Sequence, residues 1–209
     1  MNRFGWFLFG VLATCAAALA AVEYYIQNAH GFSAREQPGA METSIARWAR
    51  SAAIPADAKS LANPVANTTE VMADARAHWA DHCAICHAND GSGNINIGKR
   101  TWPPAPDMRQ DRTQQMTDGE LFYIIQNGIR FSAMPAWGGG STGGSAHDEE
   151  DSWKLVRFIR HLPQLTVAEQ QEMQKLNPKS PDEIEEEKEE EKFLKGEDSN
   201  EPQKEHHHH

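Results

Sequence analysis

Cys83-Ala84-Ile85-Cys86-His87 places two thiols three residues apart, with an imidazole directly after the second. This spacing suits three kinds of site. The thiols could bond to the two vinyl groups of a haem while His87 binds its iron. They could instead bind zinc, or form a redox-active dithiol. Each alternative requires different partners elsewhere in the chain.

Zinc and a dithiol are less favoured than haem by the rest of the sequence. A structural zinc site needs four protein ligands, typically two pairs, and only Cys15 remains as a further cysteine. His78 and His82 stand at i and i+4 on the flank of one helix, where they cannot easily complete a tetrahedron with the thiols. A thioredoxin-like dithiol needs a βαβ context, and no strand pattern precedes Cys83.

An apolar N-terminus determines the predicted compartment. Residues 6–22 form a run of 17 residues without a charge, and Arg3 precedes it. Three interpretations stay open: an uncleaved single-pass anchor that begins on the cytoplasmic side, a signal peptide cleaved near Ala18-Leu19-Ala20, and lipidation at Cys15. All three place the remaining chain outside the cytoplasm.

Charge is concentrated in the C-terminal part. The net charge is −10 over 209 residues; residues 166–209 hold 14 acidic and 6 basic residues, against 16 and 14 in residues 1–165. A near-neutral body with an acidic tail lacks the basic face that nucleic-acid binding requires. The tail ends in four histidines, 206–209, which are either a purification artefact or a weak metal-binding end.

Composition and periodicity divide the chain into four predicted parts. These are a membrane anchor or signal-anchor at 1–26, a linker at 27–68 with an amphipathic helix at about 41–53, a main domain at 69–165, and an acidic, largely solvated tail at 166–209. The helix at 41–53 carries Ile45, Trp48, Ala49 and Ala52 on one stripe. This stripe suits the membrane surface or the main domain, and a short helical spacer is an equally open interpretation.

The sequence of the main domain predicts helices and shows no pattern typical of a strand. Residues 69–83 form a helix whose apolar positions fall roughly on one side: Val71, Met72, Ala75, Trp79 and Ile85. A capping box of Thr117 and Glu120 opens a helix that Gly128 ends. Asp148 is the predicted N-cap of the last helix, 148–162. The fold class is therefore all-α.

A large apolar cofactor would complete the core of such a domain. About a hundred residues with long Gly- and Pro-rich loops offer few apolar side chains to bury. One methionine stands where a second iron ligand is needed, since Met134 lies in a loop between a capped helix and a glycine run, directly before Pro135. A thioether there would be held rigidly, whereas most methionines fill cores.

Residues 69–165 resemble a class I monohaem cytochrome c domain. The resemblance is carried by four stretches: CAICH at 83–87, Pro106-Asp107-Met108, NGIRFSAMPAWG at 127–138, and DEEDSWKLVRFIRHLP at 148–163. The layout is similar to that of membrane-anchored bacterial c-type cytochromes. It implies a cytochrome c fold around one covalently bound haem c, with an N-terminal transmembrane helix and a charged C-terminal tail.

The resemblance also implies a role for each matching residue. Cys83 and Cys86 would carry the haem covalently, and His87 and Met134 would bind its iron. The carbonyl of Pro106, or that of Pro103 or Pro104, would accept a hydrogen bond from Nδ1 of His87.

The resemblance further implies that the first and last helices of the domain cross, with Trp79 meeting Phe158 and Leu155 beside them. Two positions depart from the family pattern. Ala75 stands where glycine is common at the crossing, and Met108 replaces the common leucine.

The function implied is electron transfer, without enzymatic activity. Two protein ligands leave no coordination position open for a substrate, and a methionine ligand favours the reduced iron. We expect a membrane-anchored carrier that passes electrons between redox protein partners, with its haem domain in the periplasm of a bacterial inner membrane. Two alternatives remain: a haem subunit of a larger membrane oxidoreductase, and a ligand-binding or peroxidase-type domain with a labile Met134.

Overall fold

The computed structural model describes residues 2–28, 33, 35–139 and 149–194, and these contain helices and no strand. The predicted all-α class is confirmed. The α-helices are α1 Arg3–Asn28, α2 Ala40–Ala53, α3 Ala56–Lys59, α4 Thr69–His78, α5 Ala84–His87, α6 Asn96–Arg100, α7 Asp111–Gln114, α8 Asp118–Asn127, α9 Glu149–His161, α10 Val167–Gln174 and α11 Pro181–Leu194. A π-helical turn, Trp79–Cys83, joins α4 to α5, and a 3₁₀ turn, Leu162–Gln164, follows α9.

Helix α1 is long and apolar enough to cross a membrane. Its 26 residues reach a mean hydropathy of 2.0 over an 18-residue window, and none of them is buried. At 1.5 Å per residue the helix is about 39 Å long, which exceeds the hydrocarbon core of a bilayer.

The helix that leads into CAICH contains an irregular turn. Helix α4 is capped by Thr68, whose side chain accepts a hydrogen bond from the backbone N–H of Val71. The π turn then carries about one residue more than a regular α turn, so side chains after it are rotated about the axis. Ile85, predicted on the apolar side, is 54% exposed for this reason.

The core is centred where α4 crosses α9. Trp79 and Phe158 are 1% and 0% exposed, and their ring centroids lie 5.4 Å apart. Ala75 and Leu155 are buried at the same crossing. Because Ala75 has only a methyl group, the two helices can approach closely there without the glycine that the family often has.

Local signals at the ends of α8 agree with the prediction. Thr117 and Glu120 form the reciprocal capping box, and Gly128 ends the helix with a positive φ of 65°.

The predicted N-cap Asp148 lies outside the described residues, and the described part of the last helix begins at Glu149.

The segment predicted as a linker is docked onto the domain along residues 54–65. Ile54 is 5% exposed. The Asn63 side-chain amide donates to the carbonyl of Trp153 at 2.9 Å, and the Arg157 guanidinium donates to the carbonyl of Val65 at 2.7 Å. The connection between α2 and the main domain is therefore held in place rather than solvated.

The first part of the predicted solvated tail also packs on the domain. Met173 is fully buried. Glu169 accepts from Arg76 at 3.3 Å and contacts His161 at 2.9 Å. Helix α11, by contrast, has no buried residue, as expected for a solvated segment.

The buried crossing of α4 and α9 predicts that loss of one of its rings destabilises the domain. Phe158→Ala should lower the free energy of unfolding by about 3–5 kcal/mol, because it removes a fully buried ring and leaves a cavity. Phe193→Ala is the matched control, since Phe193 is 83% exposed; its effect should stay within about 0.5 kcal/mol. Denaturant unfolding of the haem-loaded chain in detergent measures both, and equal effects would contradict the core described here.

Candidate haem site

The two thiols lie in a site that keeps them protonated. Cys83 and Cys86 are free and half-buried, at the π turn and in α5. Burial, with a smaller contribution from Cys86, raises the pKa of Cys83 to about 12, and burial also raises the pKa of Cys86. A redox-active dithiol needs a thiol with a lowered pKa, so this environment disfavours that alternative.

His87 follows as a neutral, buried imidazole. It is 9% exposed, and burial lowers its pKa to about 4. Neutral imidazole is the form that binds a metal. Its Nδ1 atom is buried and has no hydrogen-bond partner, an arrangement that is costly in a folded protein unless the ring has a further use.

The hydrogen bond expected from His87 to Pro106 is absent from the structure. The carbonyl oxygen of Pro106 lies against Gly93 instead, where an added Cβ would stand 3.3 Å from it. The orientation of an imidazole is set by the partners of both ring nitrogens, and here neither Pro106 nor another described residue fixes Nδ1.

Backbone atoms and one indole enclose the turn after His87. The indole N–H of Trp79 donates to the carbonyl of Ala88 at 3.0 Å, and its ring lies 5.8 Å from that of His87. The N–H of Gly93 donates to the carbonyl of His87 at 2.8 Å. A Cβ on Gly98 would collide with the carbonyl oxygen of Cys86, so α6 lies directly against the thiol-bearing helix.

Arg109 joins two loops beside the site. Its guanidinium donates to Asp107 at 2.8 and 2.9 Å and to Asp90 at 2.9 Å. The hydrogen bonds from Arg109 are the largest cause that lowers the pKa of Asp107, to about 2. The backbone N–H of Met108 also donates to the carbonyl of Gly91 at 2.8 Å. These bonds hold the proline-rich loop against the loop that follows His87.

Met134 lies in a loop with a fixed backbone. Its carbonyl accepts from the N–H of Ile129 at 3.1 Å, and its N–H donates to the hydroxyl of Ser132 at 3.1 Å. The side chain is half-buried. Three residues on, the Trp137 ring lies 5.6 Å from that of His82, the residue directly before Cys83. This contact brings the methionine loop back to the thiol-bearing segment.

The structure thus gathers most of the predicted residues around one place. Cys83, Cys86 and His87 follow the buried crossing at which Trp79, Leu155 and Phe158 pack, and the Met134 loop returns beside them. Sequence reasoning missed the Trp137–His82 contact and the bonds of Arg109. The pattern Asp107-x-Arg109 was the available signal for the second.

The chemistry of these residues fits a covalent haem. Two thiols in the CAICH spacing, a neutral imidazole directly after them, and a loop thioether are the groups that such a cofactor requires. Residues 70–159 match the model of a protein family described as cytochrome c oxidase, cbb3-type, subunit III.

Residues 70–159 form a c-type cytochrome domain. The cytochrome domain binds covalently attached haem c, and the zinc and dithiol alternatives are set aside. The matched residues lie within the predicted main domain, 69–165. A search of curated proteins found no match to the chain.

The bonds of Arg109 predict how stability of the cytochrome domain depends on pH. The pKa of Asp107 is about 2 in the folded chain and 3.8 ordinarily, so the unfolded chain takes up this proton first as the pH falls. The stabilisation is complete well above pH 3.8 and disappears as the pH falls towards 2. Arg109→Gln should therefore destabilise the domain at neutral pH and much less at pH 2.

Denaturant unfolding from pH 7 to pH 2 measures this difference. Arg100→Gln is the control, because Arg100 is exposed. A deficit for Arg109→Gln that stays constant across this range would show that Asp107 is not the partner that matters.

Proposed function

We propose that the protein is a single-haem electron carrier without enzymatic activity of its own, anchored by α1 in a bacterial inner membrane with its haem domain in the periplasm. The observation that carries this proposal is the buried, neutral imidazole of His87 directly after two thiols, inside a c-type cytochrome domain.

In this proposal each residue of the site has one task. Cys83 and Cys86 would hold the haem covalently, and His87 and Met134 would bind its iron. When bound, the haem supplies a one-electron Fe(III)/Fe(II) couple. Two protein ligands would leave no position open for a substrate, which supports a carrier over a catalyst.

Buried side chains lie on the side of this site that is next to the helix crossing. Trp79, Leu155 and Phe158 are all at most 3% exposed, so the side of the site next to the helix crossing has a low polarity. A low polarity disfavours the oxidised iron, since that state carries the additional positive charge. The site residues therefore favour a relatively high reduction potential.

The anchor would confine the domain close to its redox protein partners. Tethering to one membrane raises the effective concentration of partners in the same membrane. Contacts between electron carriers are typically small and transient, so confinement compensates for weak binding. The donor and acceptor belong to the class of membrane or periplasmic redox proteins.

Replacement of Met134 tests the proposal. In the native protein we expect the absorption band of Fe(III)–methionine ligation and no binding of carbon monoxide by the reduced form at neutral pH. Met134→Leu keeps the volume but removes the sulfur. It should abolish the band, permit carbon monoxide to bind, and lower the reduction potential by more than about 100 mV.

Met116→Leu is the matched control, because Met116 is half-buried outside the predicted ligand loop. It should leave the band and the potential unchanged. Carbon monoxide binding by the unmodified protein would contradict the proposed carrier function. It would favour the alternative of a ligand-binding domain with a labile Met134.

A second candidate function is supported by the family match. The matching family is described as a subunit of a cbb3-type cytochrome c oxidase, so the chain is also a candidate subunit of a larger membrane oxidoreductase. Membranes solubilised in a mild detergent and resolved by native electrophoresis distinguish the two. A carrier should migrate alone, whereas a subunit should co-migrate with other redox proteins in a fixed ratio.

A further inference from the structure

Helix α2 presents its apolar residues to the outside of the molecule. Met41, Ile45 and Trp48 are 76%, 58% and 72% exposed, and Ala49 and Ala52 are exposed beside them. These five residues recur at the spacing of one helix face. A large indole and two long aliphatic side chains on one face are unusual for a surface that meets only water.

The opposite side of α2 faces the cytochrome domain. Thr43, Arg47 and Arg50 are half-buried, and Ile54, directly after the helix, is 5% exposed. At 100° per residue these positions lie across the helix axis from Ile45. The pKa of Arg50 is lowered, first by burial and then by Arg47, which agrees with a basic side that faces protein.

The docked side fixes the rotation of α2 relative to the domain. The Lys59 ammonium group donates to the carbonyl of Ser51 at 2.6 Å, and the Thr117 hydroxyl donates to the carbonyl of Lys59 at 2.9 Å. A Cβ on Gly119 would collide with the carbonyl oxygen of Ala58, so α8 lies close against α3. The apolar side of α2 is therefore held outwards by contacts at its C-terminal end.

The character of the outward face points to an uncharged environment. Residues that flank the apolar stripe are Ser44, Ser51 and Glu42, and neither lysine nor arginine lies on the stripe itself. An acidic partner or an anionic lipid would be recognised by basic side chains. The face instead suits the boundary between headgroups and acyl chains, where tryptophan is enriched.

Helix α1 brings such a boundary within reach. Trp6 lies near its start and Tyr24 and Tyr25 near its end, the positions of an aromatic belt on each side of a span. Only 11 residues separate Asn28 from Ala40, so the start of α2 lies at most about 40 Å from the end of α1 along the chain.

We propose that α2 lies on the bilayer crossed by α1, with Met41, Ile45 and Trp48 inserted at the interface. This proposal rests on the proposed membrane anchor. Because Ile54, Asn63 and Val65 dock on the domain, α2 would hold the haem domain at one orientation to the membrane. The domain would not swing on a loose linker.

Spin labelling of the full haem-loaded chain tests this placement. In a Cys15→Ser background, a label is attached at Ala52→Cys on the outward face or at Ser60→Cys, an exposed control position beyond α3. The protein is inserted into phosphatidylcholine vesicles. The label at 52 should collide with oxygen dissolved in the bilayer, and its accessibility to a water-soluble nickel chelate should be about tenfold lower than at 60. Anionic lipid should not change this ratio.

Each other outcome overturns a defined part of the proposal. Equal chelate accessibility at both positions would show that α2 stays in water. A label at 52 shielded from chelate and oxygen alike would show that protein covers the face. If the chain does not float with the vesicles, the proposed membrane anchor is wrong. If it floats but the label at position 52 is in water, only the proposed role of α2 is wrong.

A pair of double variants adds a matched comparison. Ile45→Glu with Trp48→Glu should restore chelate accessibility at position 52 about tenfold while the haem spectrum is unchanged. Val167→Glu with Leu176→Glu replaces two other exposed apolar residues, 70% and 46% exposed, and should leave the label in the bilayer. An unchanged label in the first variant would contradict insertion of these side chains.

Discussion

The packing of one buried indole is the interaction on which the site depends. The ring of Trp79 lies 5.4 Å from that of Phe158 and 5.8 Å from that of His87, and its N–H holds the carbonyl of Ala88. The same side chain therefore joins the crossing of α4 and α9 to the turn that carries the imidazole. Burial keeps His87 neutral and Cys83 protonated, so the core around this indole sets both the position and the chemistry of the site.

Much of the fold was predictable because its signals are local. The capping box of Thr117 and Glu120 and the glycine stop at Gly128 depend on residues close in sequence, and the structure forms both. The CAICH spacing is equally local. Ile85 shows the limit of periodicity, since an irregular π turn rotates it out of the predicted face.

The segments on either side of the domain were not predictable from composition. Residues 54–65 are rich in small and polar residues, and they dock through backbone carbonyls such as that of Val65. A bond to a carbonyl leaves no trace in the pattern of side chains. In the acidic C-terminal part, one apolar residue, Met173, is fully buried, and a single residue gives no periodic signal. The structure also lacks the hydrogen bond expected between His87 and Pro106. That bond depends on the relative position of two loops, which a local pattern does not determine.

The central claim is that Cys83 and Cys86 carry the haem beside His87. Mass spectrometry of the haem-loaded chain, digested and run in acidic organic solvent, tests this most directly. We expect a single haem that stays bonded to the peptide containing residues 83–87, with both thiols resistant to alkylation. Haem that dissociates in the acidic solvent, or two thiols that alkylate freely, would contradict the account.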